Sequence, residues 1–220
     1  MNLRVIETGD GSISLFDDKL KESYHSVYGA ETESLHVFIK NGLEHLYESK
    51  PVVIKILEVG LGTGLNALLT LEWLRNHPGT QIIYTALEPF PPSNSFLEII
   101  GNSFPETRRS DFMRIHTSDW DTFVEIESGF VLRKLQISIS AYRQDEQFNL
   151  VYYDAFGPPV QPEMWTESIF KNLTEMMETG GVWVSYCAKG EVRRILKNCG
   201  MKVERLAGPP KKREMLRATR

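Results

Sequence analysis

Cysteine is nearly missing from this 220-residue chain, with Cys187 and Cys199 the only two. Two thiols are too few for a disulfide framework, and their spacing matches no metal-ligand pattern. A reducing, cytoplasmic setting is therefore the default expectation, with no metal site. No apolar stretch approaches the roughly 18 residues needed to cross a bilayer, so no membrane role is expected. Residues 1–10 hold Arg4, Glu7 and Asp10 and no apolar run, and they do not read as a signal peptide. An excess of positive charge is missing too: 25 Lys and Arg stand against 29 Asp and Glu, for a net charge of −4. Nothing overall draws such a chain to nucleic acid, so an RNA partner would need a local basic patch. One candidate patch exists toward the C-terminus, where Lys189, Arg193, Arg194 and Lys197 are followed by Lys202, Arg205, Lys211, Lys212, Arg213, Arg217 and Arg220. On composition alone, ordinary solvated charge explains that run at least as well. Internal repeats and low-complexity segments are absent.

What is present is a regular alternation. Residues 3–7 and 12–16 are short β-type runs around Gly9-Asp10-Gly11, a hairpin pattern. Residues 30–47 carry Leu35, Phe38, Ile39 and Leu43 at helical spacing. Pro51 closes this N-terminal appendage, residues 1–50, and the remainder, 51–220, reads as one α/β domain. Residues 52–57 form an apolar run broken only by Lys55, as in a strand buried on both faces. A helix is expected over about 65–75, a strand over 81–87 ending at Glu88, and a helix starting at Pro91-Pro92-Ser93. Residues 102–130 read as an irregular or helical insertion anchored by Trp120. Leu135, Ile137 and Ile139 alternate with polar residues at strand period. A strand over 148–153 ends at Asp154, a helix covers about 163–178, and Gly180-Gly181 turns into a strand at 182–186. A helix over 191–198 stops at Gly200, and strands at 201–206 and 214–219 close the chain. The segment joining these last two is too short for a crossover, so they must pair antiparallel. The fold class is α/β, a Rossmann-like doubly wound sheet with helices on both faces and a final antiparallel strand, the shape of class I methyltransferases.

Ligands of such sheets bind at the carboxyl ends of the strands. The first strand ends in Glu58-Val59-Gly60-Leu61-Gly62-Thr63-Gly64. Glycines at 60, 62 and 64 let the backbone turn tightly and approach a ligand closely. Glu58 suits a cationic ligand, such as the ammonium and sulfonium end of S-adenosylmethionine. The rival is a nicotinamide dinucleotide oxidoreductase, because Gly62-x-Gly64-x-x-Ala67 matches G-x-G-x-x-A. There a pyrophosphate sits on the helix N-terminus, and Glu58 nearby would repel it. Glu88 is placed to grip ribose hydroxyls, which both ligands carry. A tight turn and a solvated acid are the bland readings of these two features. Asp154 ends the fourth strand and opens the loop Ala155-Phe156-Gly157-Pro158-Pro159-Val160-Gln161-Pro162-Glu163-Met164-Trp165. That proline-stiffened loop carries Phe156 and Trp165 as candidate walls for an acceptor, although loop aromatics pack into cores about as often.

These segments together resemble the methyltransferase family that completes the 5-methylaminomethyl group on the wobble uridine of tRNA, the methyltransferase half of the bifunctional tRNA methylaminomethyl-2-thiouridine biosynthesis protein. The strand-four pattern D-G/A-F-A-P-x-x-x-P-x-M-W is met by Asp154 through Trp165, with Ala155 and Gly157 as departures. The loop G-F-G-T-G-L-N is met by Gly60 through Asn66, the acid-x-F-P by Glu88 through Pro91, and the G-x-x-x-K-R-E-M by Gly208 through Met215. Glu33-Ser-Leu-His36-Val-Phe38 matches in part. The resemblance covers nearly the whole chain. It implies S-adenosyl-L-methionine as cofactor, held by Glu58, Gly60, Gly62, Gly64, Asn66, Glu88, Ser138 and Asp154. It implies an aminomethyl group on uridine 34 as acceptor, with Asp154 holding the amine and taking its proton. Phe156, Pro158 and Trp165 would line the nucleoside, and Lys211, Lys212 and Arg213 would meet phosphates in the anticodon region. Family members have an acid at the end of the third strand to read adenine. A strand over 132–139 puts Ser138 there, whereas one over 112–117 makes it Asp119; the first is preferred because Trp120 matches an upstream family tryptophan. A flavin oxidase domain has no room here, so another enzyme would supply the aminomethyl substrate. A non-catalytic RNA-binding remnant is the third reading.

Overall fold

The apolar run after Pro51 becomes β4 (Val53–Val59), the centre of the molecule. Its side chains alternate between two cores. Ile54 and Ile56 join one apolar cluster, Leu57 and Val59 the other, and all four are buried. A strand apolar on both faces needs cover on both. β5 (Gln81–Leu87) and β8 (Phe148–Tyr153) flank it in parallel. The computed structural model describes residues 2–220.

The eight-stranded sheet runs β10-β11-β9-β8-β4-β5-β7-β6, with β6 at Phe123–Glu127, β7 at Phe130–Leu135, β9 at Met177–Ser185, β10 at Lys202–Ala207 and β11 at Glu214–Thr219. One face is covered by α3 (Leu65–Arg75), α4 (Asn94–Asn102) and α5 (Glu106–Thr117), the other by α6 (Glu167–Glu175) and α7 (Gly190–Asn198). The chain leaves β4 toward β5 on one side and reaches β8 on the other. The strand order therefore reverses between β4 and β8, and a crevice opens at their carboxyl ends. β11 is antiparallel to both neighbours and slots between β9 and β10, rather than lying at the edge.

Four segments depart from the expected elements. Residues 102–130 are mostly regular: α5 is followed by a β6–β7 hairpin turning at Gly129, φ +84°. The helical alternative holds for α5, whose pattern is weak because only Asp111, Phe112 and Ile115 of it are buried. Ion pairs tie it down instead, Arg75 to Asp111 at 2.6 Å and Arg108 to Glu31 and Glu72 at 2.8 Å each. The third strand ends at Leu135, not 139; beyond the ladder Ile139 is buried while Ile137 and Ser138 are both half-buried on the cavity lining. The alternative strand at 112–117 is helical. The helix expected over 163–178 is a short 3-10 turn (Pro162–Trp165) and then α6, and β9 starts at Met177. It runs through Gly180-Gly181 with a register shift against β8.

At the N-terminus, β1 (Leu3–Glu7) and β2 (Ile13–Asp17) form the expected antiparallel hairpin, extended by β3 (Glu22–Ser23). The helix over residues 30–47 opens as α1 (Ala30–Ser34), widens into a π-helix (Leu35–Glu44) and ends as α2 (His45–Tyr47). The widened turns rotate its inner face: Val37, Phe38, Ile39 and Leu43 are buried, but Leu35 is 42% exposed, contrary to the expected stripe. Gly42 lies where a Cβ would come within 2.9 Å of Val184 and 3.3 Å of Tyr152. This helix and Leu15 share one apolar cluster with β4, α3 and α5. Among the described residues no helix is long and apolar enough to cross a membrane.

Candidate active site

The β4 strand ends against the β8 strand. A Cβ on Gly60, φ +92°, would come within 2.7 Å of the Asp154 carbonyl oxygen, so the backbones meet at a distance only glycine allows. Gly64, φ +73°, caps α3 and backs onto His116, whose Nε2 donates to the Thr63 carbonyl at 3.0 Å. Burial lowers the His116 pKa to about 4, so the ring is neutral and serves as a strut. Around the loop lies a cavity of about 400 Å³, lined by Val59, Gly60, Leu61, Gly62, Leu87, Glu88, Pro89, Phe90, Ile137, Ser138, Ile139, Asp154, Ala155, Phe156, Gln161, Met164 and Tyr186. Its roof comes from the N-terminal segment: Asp17, Lys19, Leu20, Tyr24 and His25.

Three acids define its chemistry. Glu58 is completely buried, and its Oε1 accepts a hydrogen bond from Asn66 Nδ2 at 3.0 Å. The same nitrogen donates to Asp154 Oδ2 at 2.9 Å, so one amide bridges the two carboxylates. The Tyr84 hydroxyl is the other hydrogen-bonding neighbour of Glu58. Burial pushes the Glu58 pKa well above the usual carboxylate range, and the Asp154 charge pushes the same way against the Asn66 bond. Burial also raises Asp154, to about 7, with Glu33 raising it further while Asn66 and Lys212 oppose. Two carboxyls that share one amide and both hold raised pKa values are a mark of a functional site. Glu88, at the end of β5, accepts from the Gly62 and Phe90 amides at 2.9 Å each, and burial raises its pKa. These bonds hold the carboxylate at the cavity edge, at the level of the glycine loop.

The glycine cradle and the two cavity-lining carboxyls at strand ends, Glu88 and Asp154, fit a nucleoside with a cationic tail, the chemistry of S-adenosylmethionine. They do not fit a pyrophosphate, which would meet like charge. Glu58 and Asn66 lie behind the cavity wall and act on it through Asp154 and the loop. Ser138 lines the cavity in the turn after β7, where its Oγ accepts from Ser140 N at 3.3 Å and Ser140 Oγ at 3.0 Å. Asp119, beyond α5, does not line it.

On the acceptor side, Phe156 forms a wall and meets Tyr24 edge to face at 5.2 Å between centroids. Trp165 does not face the cavity. It is 4% exposed, packs on Tyr153 and Phe170, and donates Nε1–H to the Phe156 carbonyl at 2.7 Å. It anchors the loop instead of stacking a base. Pro158 is buried and likewise off the lining. Of the three basic residues, Lys211 and Arg213 are exposed, but Lys212 turns inward onto Glu33 and over the Tyr186 ring, 4.2 Å from its centroid. A second, shallower cleft of about 500 Å³, lined by Tyr186, Ala188, Arg205, Lys212, Arg213 and Glu214, adjoins the cavity across Tyr186.

Sequence reasoning missed Tyr24, Tyr186 and Glu33. Tyr186 carried a signal: it follows the strand next to Asp154, and strand ends build such sites. Tyr24 sits after a two-residue strand and had none. Among the described residues no group of His, Cys, Asp and Glu could hold a metal ion.

Residues 102–220 match the model of a family of S-adenosyl-L-methionine-dependent methyltransferases. The chain is 29% identical, over 95% of its length, to the tRNA 5-methylaminomethyl-2-thiouridine biosynthesis bifunctional protein of Hydrogenovibrio crunogenus, of which it covers 32%. It is 30% identical, over 96% of its length, to the protein of the same name from Idiomarina loihiensis, covering 37% of it. The chain thus spans about a third of the length of these curated relatives. Among solved structures, MNMC2 from Aquifex aeolicus superposes with a TM-score of 0.79 at 27% identity, over 99% of this chain and 70% of that one. Spermidine synthase from Thermotoga maritima shares the fold, with a TM-score of 0.60 at 12% identity, over 99% of this chain and 68% of that one.

Proposed function

The chain belongs to the S-adenosyl-L-methionine-dependent methyltransferases, and from that premise we propose that it methylates the aminomethyl nitrogen on carbon 5 of the wobble uridine of tRNA. The support is the pair of relatives named for that modification, each matched along nearly the whole of this chain. The observation that carries the chemistry is Asp154, a cavity-facing carboxyl at the β8 end, bridged by Asn66 to Glu58. The cytoplasm, where tRNA is modified, is the compartment this reading requires. A separate activity, in a partner or elsewhere in a longer protein, would make the aminomethyl group.

When bound, S-adenosylmethionine supplies a methyl group made electrophilic by its sulfonium. The residues of the chain do the rest. Gly60, Gly62 and Gly64 keep the loop open to close approach, Glu88 holds hydroxyls, and Ser138 is the cavity polar group beyond the third strand. An alkylamine with a pKa near ~10 reaches the site as an ammonium, without a free lone pair. The Asp154 carboxylate attracts that ammonium and takes one proton at Oδ1 or Oδ2, and the neutral nitrogen can then attack. Asn66 keeps Asp154 aimed, while Phe156 and Tyr186 confine the acceptor. Positioning of this kind accounts for much of the rate in a two-reactant transfer.

Asp154→Asn keeps the shape and removes the proton acceptor. With tRNA carrying 5-aminomethyluridine at position 34, single-turnover methyl transfer should fall about 100-fold or more. S-adenosylhomocysteine binding, measured by calorimetry, should change only a few-fold. Wild-type turnover by this variant would overturn the assignment of Asp154.

A further inference from the structure

Lys212 lies at the tip of the β10–β11 hairpin, beside Lys211 and Arg213, where a basic residue is expected to meet solvent or phosphate. The fold turns it the other way. Lys211 takes a left-handed backbone, φ +69°, and Lys212 N–H closes the turn onto the Pro209 carbonyl at 2.9 Å. The hairpin is docked on the N-terminal helix: His36 Nε2 donates to the Ala207 carbonyl at 2.8 Å, and Arg217 reaches the Asn41 carbonyl at 3.4 Å. Docking brings Lys212 Nζ onto Glu33 Oε2, a carboxylate on α1 that is only 6% exposed. The same ammonium sits over the Tyr186 ring, 4.2 Å from the centroid, and Tyr186 donates its hydroxyl to the Ala155 carbonyl at 2.9 Å. Ala155 is the residue after Asp154, and Tyr186 and Asp154 line one cavity.

We propose that Lys212 is a positioning residue for the acceptor site: clamped by Glu33 against the Tyr186 ring, it holds that wall of the cavity and keeps one fixed positive charge beside Asp154. This rests on the reading of Asp154 as the residue that takes the amine proton. The titratable groups around Asp154 and Lys212 come from several elements. Glu58 lies on β4 and Tyr84 on β5, Glu33 on α1, His25 follows β3, Tyr186 and Cys187 follow β9, and Lys212 tips the hairpin; the tyrosines and His25 are neutral. Lys212 is the cation in this set. It favours the ionised Asp154, whereas Glu33 disfavours it. Its ammonium already has a buried carboxylate and an aromatic face as partners.

The two charges act on Asp154 with opposite signs, and that makes the inference testable. The readout is the acid limb of the pH profile for single-turnover methyl transfer to 5-aminomethyluridine tRNA, with cofactor saturating. Glu33→Gln removes a negative charge but keeps a side-chain oxygen to accept from Lys212, so the acid limb should move to lower pH by about one unit. The double variant Glu33→Gln/Lys212→Met removes both charges without stranding a buried carboxylate. Its limb should return upward, toward that of the wild type. Lys212→Arg keeps the charge and should keep the limb within a few tenths of a unit. Thermal melts identify any variant that fails to fold, and the comparison of Glu33→Gln with wild type needs only the milder substitution. If single and double variants share one acid limb, Lys212 exerts no charge on Asp154 and the inference fails. If instead Asp154→Asn turns over like the wild type, the reading of Asp154 is what fails.

Discussion

Asp154 concentrates the physical tension of this molecule in one side chain. Its carboxyl is raised from 3.8 to about 7, mainly by burial. A group whose folded pKa lies above its unfolded value binds its proton more tightly in the native state. It therefore favours folding below the unfolded pKa, and that contribution is lost as pH rises through the folded one. At pH 8 the native protein carries the full penalty of an ionised Asp154, and at pH 5 only part of it. Asp154→Asn should accordingly raise the melting midpoint at pH 8 by a few degrees, and by less at pH 5. An equal gain at both pH values would show that ionisation is not the cause. The site residues legible in the sequence were those fixed by backbone need or strand position: Gly60, Gly62, Gly64, Glu88, Asp154. Orientation was not legible. Trp165 reads as a cavity wall and is a core anchor, and Lys212 reads as a surface cation and points inward, because rotamer and packing decide which way a loop side chain faces. Glu58 shows the same limit in another form, lying at the expected strand end but reaching the cavity only through Asn66.

Among the elements, the parallel strands and the helices flanking them were read from pattern because each has an apolar face at its own period. α5 is legible only as one of two readings of residues 102–130, irregular or helical, since ion pairs rather than an apolar stripe hold it, and the third strand is read too long because Ile137 and Ile139 alternate with polar residues in sequence without a ladder. The π-helix is a third case, visible as a helix but not as a widened one. Its Gly42 illustrates two opposing effects. In a helix interior Gly→Ala is worth about 1 kcal/mol in favour of folding. Here the new methyl would meet Val184 at 2.9 Å and Tyr152 at 3.3 Å. Val184 is β-branched, buried and fixed in β9, so it has little freedom to yield. Overpacking of this kind costs typically ~1–3 kcal/mol. Gly42→Ala should therefore lower stability in urea by about 1 kcal/mol net, and a stabilised variant would mean that the helix can lift from the sheet without cost.

For the whole molecule, the net charge of −4 means that the tRNA proposed as substrate would be recognised by a face and not by the overall field. Much of the C-terminal basic run is already engaged within the fold. Arg217 pairs with Glu204 at 3.1 Å, Arg205 with Glu214 at 3.4 Å, and Arg220 bonds the Met177 carbonyl. Lys212 is turned onto Glu33. Lys211 and Arg213 stay exposed, and Arg213 lines the cleft that adjoins the Asp154 cavity across Tyr186. A backbone phosphate in that cleft would leave its nucleoside within reach of the cavity. Sequence order grouped residues 211–213 as equivalent, and the fold separates their duties. Changing Lys211 and Arg213 together to Gln should weaken RNA binding and reduce the magnitude of its log–log salt slope by about 1.4–1.8, the value for two lost phosphate contacts. The acid limb of methyl transfer should stay where it is, since neither side chain faces Asp154. An unchanged salt slope would move the RNA-binding face away from this hairpin and leave the assignment of Lys212 untouched.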